Sequence, residues 1–157
     1  MSGAVVQARR IDALHLHQVP EAHDVVPRQL PAAMSVFAAR EHEQVVLSGW
    51  RERTTEGPFL VVLTGAGGVG KTSLAVRWLR SLEEFHPDGS LFVDLGGGRS
   101  QPASPNGVME YFLISLGADG GKISSDSEQR SALFRSLTYS RRMCVLLDNA
   151  GVCCTIL

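Results

Sequence analysis

The stretch FLVVLTGAGGVGKTSLAVRW, residues 59–78, contains a strand pattern, a glycine-rich loop and a helix pattern in direct succession. Residues 59–64 form a continuous apolar, β-branched run, which predicts a strand buried on both faces of a parallel sheet. The apolar residues after the loop recur at helical spacing: Leu74, Ala75, Trp78, Leu79 and Leu82. The glycines therefore connect a predicted strand to a predicted helix.

The loop, GAGGVGKT at residues 65–72, satisfies the P-loop pattern G-x-x-x-x-G-K-[ST] in full. Its glycines allow successive backbone N–H groups to point at phosphate oxygens, and the helix N-terminus adds partial positive charge. Lys71 is predicted to neutralise the β- and γ-phosphates, and the Thr72 hydroxyl to ligate Mg²⁺. The alternative is a glycine-rich turn with a solvated lysine. The predicted nucleotide-binding residues of the loop are Gly65, Ala66, Gly67, Gly68, Val69, Gly70, Lys71, Thr72 and Ser73.

A site for Mg²⁺ and a nucleotide also requires a carboxylate from the end of a neighbouring buried strand. The run MCVLLD, residues 143–148, supplies Asp148 at the carboxyl end of a predicted strand, where ligands bind in open α/β sheets. Thr72 and Asp148 are therefore the predicted metal ligands, with Asp148 in the Walker B role. Asn149 follows, and asparagine is a poor base for activating water. The sequence thus indicates nucleotide binding more directly than hydrolysis.

Strand and helix patterns alternate along the rest of the chain. A helix is predicted over residues 40–53, strands over 90–95 and 143–147, and a loop over 96–105. Two more helices are indicated by apolar stripes, and the second begins at a capping box. The residues of these signals are Val45, Val46 and Trp50 in the first helix, Val108, Met109, Phe112, Leu113 and Leu116 in the next, and Ser125, Glu128, Leu133, Phe134 and Leu137 in the last. The pattern predicts an α/β fold, a P-loop NTPase with an incomplete parallel sheet of three strands and helices on both faces.

Composition restricts the remaining possibilities. The chain has 157 residues, of which 44% are apolar, and a net charge of −1, so no overall field favours nucleic acid or an anionic membrane. The longest apolar runs are far shorter than the ~20 residues that span a bilayer, and residues 1–20 lack a signal-peptide core, which predicts a cytoplasmic protein. The three cysteines are predicted to be free thiols. His15, His17 and His23 lack a recognisable metal-ligand spacing.

The segment VPRQLPAAMSVFAAREHEQ, residues 26–44, resembles the NB-ARC class of STAND ATPases found in actinobacterial regulators. In that family an F-x-G-R-x-x-E motif precedes the P-loop helix. Phe37, Arg40 and Glu43 match it here, and Ala39 stands where the family has glycine. The resemblance implies that this segment packs over adenine and that Arg40 contacts the nucleotide.

Three further stretches resemble the same family, so the resemblance covers residues 26–150: HPDGSLFVDLGG, SPNGVMEYFLISLGA and RSALFRSLTYSRRMCVLLDNA. The family continues with a sensor arginine and a winged-helix region, which residues 151–157 do not resemble. We therefore expect residues 1–31 to be a flexible lead-in and residues 32–157 to be the N-terminal portion of an NB-ARC domain that stops after Walker B. Residues 59–64 would then form an exposed apolar edge that promotes aggregation.

The resemblance implies a switch module of a signalling or transcriptional regulator, with ADP holding a closed state and ATP favouring an open one. The implied ligands are ADP or ATP with Mg²⁺. Self-association is expected through regions beyond residue 157, and this segment is not expected to bind nucleic acid or membrane. Two alternatives remain open: an ATP-hydrolysing P-loop NTPase with real turnover, and a fragment without nucleotide function. A GTPase lacks its N-K-x-D motif here, and Ala66 replaces the signature lysine of partition ATPases.

Overall fold

A computed structural model describes residues 26–33, 40–53 and 57–151. This part of the chain is a mixed α/β structure with four α-helices and a parallel sheet of two strands, which confirms the predicted α/β class. The elements are α1 (Glu41–Arg53), α2 (Lys71–Ser81), β1 (Ser90–Asp94), α3 (Pro105–Ser115), α4 (Ser127–Thr138) and β2 (Cys144–Asp148), with short 3₁₀ turns at Glu83–Phe85 and Gly120–Lys122. No helix in these ranges is long and apolar enough to cross a bilayer.

The two strands pair in parallel along their whole length, with Ser90 opposite Cys144 and Asp94 opposite Asp148. Both strands therefore end at the same edge of the sheet, each with an aspartate. Cys144 is a buried free thiol, as predicted, and burial raises its pKa to about 11. Cys153 and Cys154 lie outside the described residues.

Residues 27–31, which we call the edge segment, bind the other side of β1. Arg28 forms a parallel bridge with Ser90, and the Ser90 N–H donates to the Pro27 carbonyl at 2.7 Å. At the far end of α2, the Arg80 guanidinium donates to the Leu30 and Pro31 carbonyls at 2.9–3.0 Å. The described end of the predicted lead-in is thus held against the sheet by backbone and side-chain hydrogen bonds.

The predicted strand at residues 59–64 is absent from the sheet of the described residues, so the prediction of a strand buried on both faces is wrong for this segment. Burial alternates along it. Phe59, Val61 and Leu63 pack against a helical core, whereas Leu60 and Val62 are 69% and 66% exposed. A continuous apolar run is buried on both faces only when strands or helices cover both, and one face here lacks cover among the described residues.

Two apolar cores hold the helices. The first, the α1/α2 core, consists of Leu47, Leu74, Trp78 and Leu82. The second, the β1/α3/α4 core, consists of Leu91, Phe112 and Leu116, with Phe134, Leu137 and other partly buried residues around them. Strand β1 therefore lies in the second core, while the segment before the glycine-rich loop belongs to the first.

Two details of the helices differ from the predictions. In α1 the buried residue is Leu47, whereas Val45 and Trp50 are 69% and 50% exposed, because the neighbouring α2 packs on a different stripe of the helix. Helix α4 begins one residue later than the predicted capping box implies. Its cap is Asp126, whose carboxylate accepts from the Gln129 N–H at 2.8 Å. Aspartate is as good an N-cap as serine, so neighbouring candidates compete.

Candidate functional site

The glycine-rich loop, residues 65–72, curves into the first turn of α2. Gly68 and Gly70 have φ values of 75° and 83°, a left-handed backbone that glycine adopts without steric cost, and Gly70 is the N-cap of α2. The Lys71 ammonium donates to the Gly65 and Ala66 carbonyls at 3.0 and 2.9 Å. The ammonium thus lies against the backbone of its own loop, in exposed hydrogen bonds.

Thr72 and Asp148, the two predicted metal ligands, are in direct contact. The Thr72 hydroxyl lies 2.8 and 3.0 Å from the two carboxylate oxygens of Asp148, and both side chains are only partly buried. This contact joins the start of α2 to the carboxyl end of β2 across 76 positions of sequence. The structure therefore brings together two hard oxygen donors of the kind that Mg²⁺ prefers.

Arg40 also reaches the glycine-rich loop. Its guanidinium donates to the Val69 carbonyl and lies 3.6 Å from the Glu43 carboxylate, so Arg40 connects the other described member of the matched upstream motif to the loop. Ser73 lies in the first turn of α2, partly buried. Phe37 and Ala39 lie outside the described residues.

One group of residues beside the site was missed by sequence reasoning. The Asp94 carboxylate accepts from the Asn149 amide at 2.9 Å, from the Gly96 N–H at 2.9 Å and from Arg99. These hydrogen bonds, led by that of Asn149, lower the pKa of Asp94. The available signal was the aspartate at the end of each predicted strand, but only the register places Asp94 opposite Asp148.

The described residues contain no group of three or more His, Cys, Asp or Glu side chains that could hold a metal ion. A transition-metal centre of that kind is therefore not found in these ranges. His15, His17 and His23 lie outside them. Any divalent cation at Thr72 and Asp148 would need further oxygen ligands from a bound ligand or water, which is usual for Mg²⁺.

Comparison with known proteins relates the chain to bacterial regulators. It is 42% identical over 130 residues to the regulatory protein AfsR of Streptomyces coelicolor, and 40% identical over 133 residues to AfsR of Streptomyces griseus. The chain resembles one segment of these regulatory proteins. The matches cover 79% and 83% of this chain but only 13% and 14% of the relatives. No family profile and no solved structure matches the chain.

Proposed function

We propose that this chain is an adenine-nucleotide-binding module of a regulator, with the phosphates bound by the P-loop and Mg²⁺ by Thr72 and Asp148. The observation that carries the proposal is the direct contact between these two side chains, 2.8 Å apart at the end of a P-loop that opens a helix. A loop followed by a helix offers N–H groups and partial positive charge to an anion, and the oxygen pair offers ligands to its counter-cation. The two halves of a metal–nucleotide site therefore adjoin.

Gly67 is compatible with a bound phosphate. It has no positive φ, and a Cβ atom added there would meet none of the described atoms within 4 Å. Neither backbone conformation nor internal packing in the described structure requires glycine at this position. Without a side chain at this position, a ligand can approach the loop backbone closely.

The adenine base and the switch behaviour are the finer part of the proposal. Arg40, bonded to the Val69 carbonyl, is close enough to the loop to respond to a nucleotide there. A switch between ADP and ATP needs contacts that differ with the γ-phosphate, and Lys71 is the described cation best placed to make one. Binding at the γ-phosphate would require Lys71 to exchange its hydrogen bonds to the loop carbonyls.

The role in regulation is supported by similarity to the AfsR proteins, which are named as regulators. We propose that the segment shared with them is the part that senses nucleotide and passes its state to the rest of the regulator. Hydrolysis remains the alternative. It has less support, because the Asn149 amide donates to Asp94 and asparagine cannot act as a base.

Titration of the purified chain with ADP and ATP, with Mg²⁺ or EDTA, tests the proposal. Lys71→Ala is expected to weaken binding by roughly 10- to 100-fold, since a hydrogen-bonded charge contact to phosphate is lost. Lys122→Ala is the matched control, because Lys122 is the only other lysine of the chain and forms only an exposed pair with Asp119.

The outcomes separate the three interpretations of the sequence. Binding that requires Lys71, without phosphate release, supports the switch module. Phosphate release that Lys71→Ala abolishes favours the NTPase. The proposed function is overturned if Lys71→Ala and Lys122→Ala bind nucleotide with equal affinity. It is also overturned if the unaltered chain does not bind at millimolar nucleotide.

A further inference from the structure

Asp94 and Asn149 connect two loops at the edge of the sheet where the strands end. The Asp94 carboxylate accepts from the Asn149 amide on one oxygen and from Arg99 on the other. Arg99 is two-thirds exposed, whereas the Asp94 side chain is 29% exposed. Asn149 is thus the partner that links the Asp94 carboxylate to the second loop.

The second loop, residues 148–151, is a sharp turn, which we call the Asp148 turn. Asn149 has a φ of 53° and is the one non-glycine residue with positive φ among the described residues. The left-handed conformation is unfavourable for a residue with a Cβ atom, and asparagine tolerates it best when its side chain has a local partner. Asp94 supplies that partner.

Backbone contacts hold the same two loops together. The Leu95 N–H donates to the Asp148 carbonyl at 2.9 Å, and the Gly97 N–H donates to the Asn149 carbonyl at 2.7 Å. The chains approach so closely that a Cβ atom added to Gly97 would lie 2.2 Å from the Gly151 nitrogen. The backbone from the Asp148 carbonyl to Gly151 is thus held against the loop after β1.

We propose that Asp94 is a positioning residue for the metal half of the site: it holds Asn149 in its left-handed conformation and so directs the Asp148 carboxylate toward Thr72. The inference rests on the proposed function, but it assigns a role that Asp94 performs without touching the nucleotide. The strand register places Asp94 opposite Asp148 on the neighbouring strand. Asn149, the next residue after Asp148, therefore lies where its amide can donate to the Asp94 carboxylate.

The chain offers a matched control in Asp119. Its carboxylate accepts from the N–H of the glycine two residues later and pairs with a nearby cation, as that of Asp94 does, but both its partners belong to the turn before α4. Asp94→Ala and Asp119→Ala therefore remove the same kind of local carboxylate contact, and only the first reaches the Asp148 turn. Asp94→Asn retains one oxygen acceptor and serves as the conservative variant.

Nucleotide affinity with Mg²⁺ and with EDTA is the first measurement. Asp94→Ala is expected to reduce the affinity gained from Mg²⁺ on the order of 10-fold and to leave binding in EDTA unchanged, since residues that orient a metal ligand act on the metal. Asp94→Asn is expected to lose less of the affinity gained from Mg²⁺, and Asp119→Ala is expected to lose none of it. An unchanged gain from Mg²⁺ in folded Asp94→Ala overturns the proposal, as does equal loss in Asp119→Ala.

Amide hydrogen exchange at Leu95 and Gly97 is the second measurement and needs no nucleotide. Their N–H groups donate to carbonyls of the Asp148 turn. In Asp94→Ala these two amides are therefore expected to exchange roughly 2- to 10-fold faster. Unchanged exchange overturns the positioning role even if the nucleotide proposal holds. If the unaltered chain binds no nucleotide, the proposed function and the metal role fail together, whereas faster exchange would still support control of the turn by Asp94.

Discussion

Residues 59–63 and strand β1 are two five-residue segments, each predicted to be part of a strand, that fold in different ways. Strand β1 pairs with β2 along its whole length, has the edge segment on its other side, and buries Leu91 completely. Residues 59–63 bury one face against the α1/α2 core and expose Leu60 and Val62. The difference shows that an apolar run determines how much surface can be buried, whereas its neighbours determine how much is buried.

The largest expected effect on stability is that of truncating a buried leucine of β1, compared with an exposed leucine of residues 59–63. Leu91→Ala is expected to destabilise the fold by about 4 kcal/mol, because it leaves a cavity in a fully buried position. Leu60→Ala makes the same chemical change at a position that is 69% exposed and is expected to alter stability by less than about 0.5 kcal/mol. Urea denaturation measures both values. Equal losses would show that residues 59–63 are as deeply buried as β1.

An intermediate effect is expected at the outer edge of β1. Gly89 has a φ of 114°, and a Cβ atom there would lie 2.3 Å from the Pro27 carbonyl oxygen. Gly89→Ala is therefore expected to cost about 3 kcal/mol and to displace the edge segment, which increased proteolysis near residue 28 would detect.

Gly57→Ala is the control for backbone strain alone. Gly57 also has a positive φ, 78°, but a Cβ atom there would meet no described atom within 4 Å. Its substitution is expected to cost only about 1–2 kcal/mol. If the two alanine variants are equally stable and equally resistant to protease, the edge segment does not support β1.

The smallest effect on stability is expected from Val62→Lys, which places a charge on the uncovered face of residues 59–63. Stability should change by less than about 0.5 kcal/mol, because the side chain is exposed. Self-association, measured by light scattering, should decrease, since charged residues on an unpaired edge oppose pairing between chains. Val45→Lys makes the same change at an equally exposed position on α1. If self-association decreases equally in Val45→Lys, the decrease results from the change in net charge and not from the position of the lysine.

Short sequence patterns predicted those parts of the site that are formed by residues close together in the chain. The glycines and Lys71 specify the start of α2, and Asp148 ends its strand as the apolar run before it indicates. Strand pairing was not predictable in the same way, because it depends on residues far apart in the chain. Nothing local in residues 59–64 differs from β1 enough to exclude them from the sheet, and Asp94 gains its role only through the register with β2.

Helix α2 has ends with different partners, and this restricts how its sequence can evolve. Its first residue, Lys71, belongs to the glycine-rich loop, while Arg80, in its last turn, binds the carbonyls of Leu30 and Pro31. Each residue inserted into a helix rotates the remainder of the helix by about 100° and moves it by about 1.5 Å along the axis. A single insertion between Lys71 and Arg80 would point the guanidinium away from the edge segment. Substitutions on the exposed face of α2 are therefore tolerable, whereas a change in its length is not.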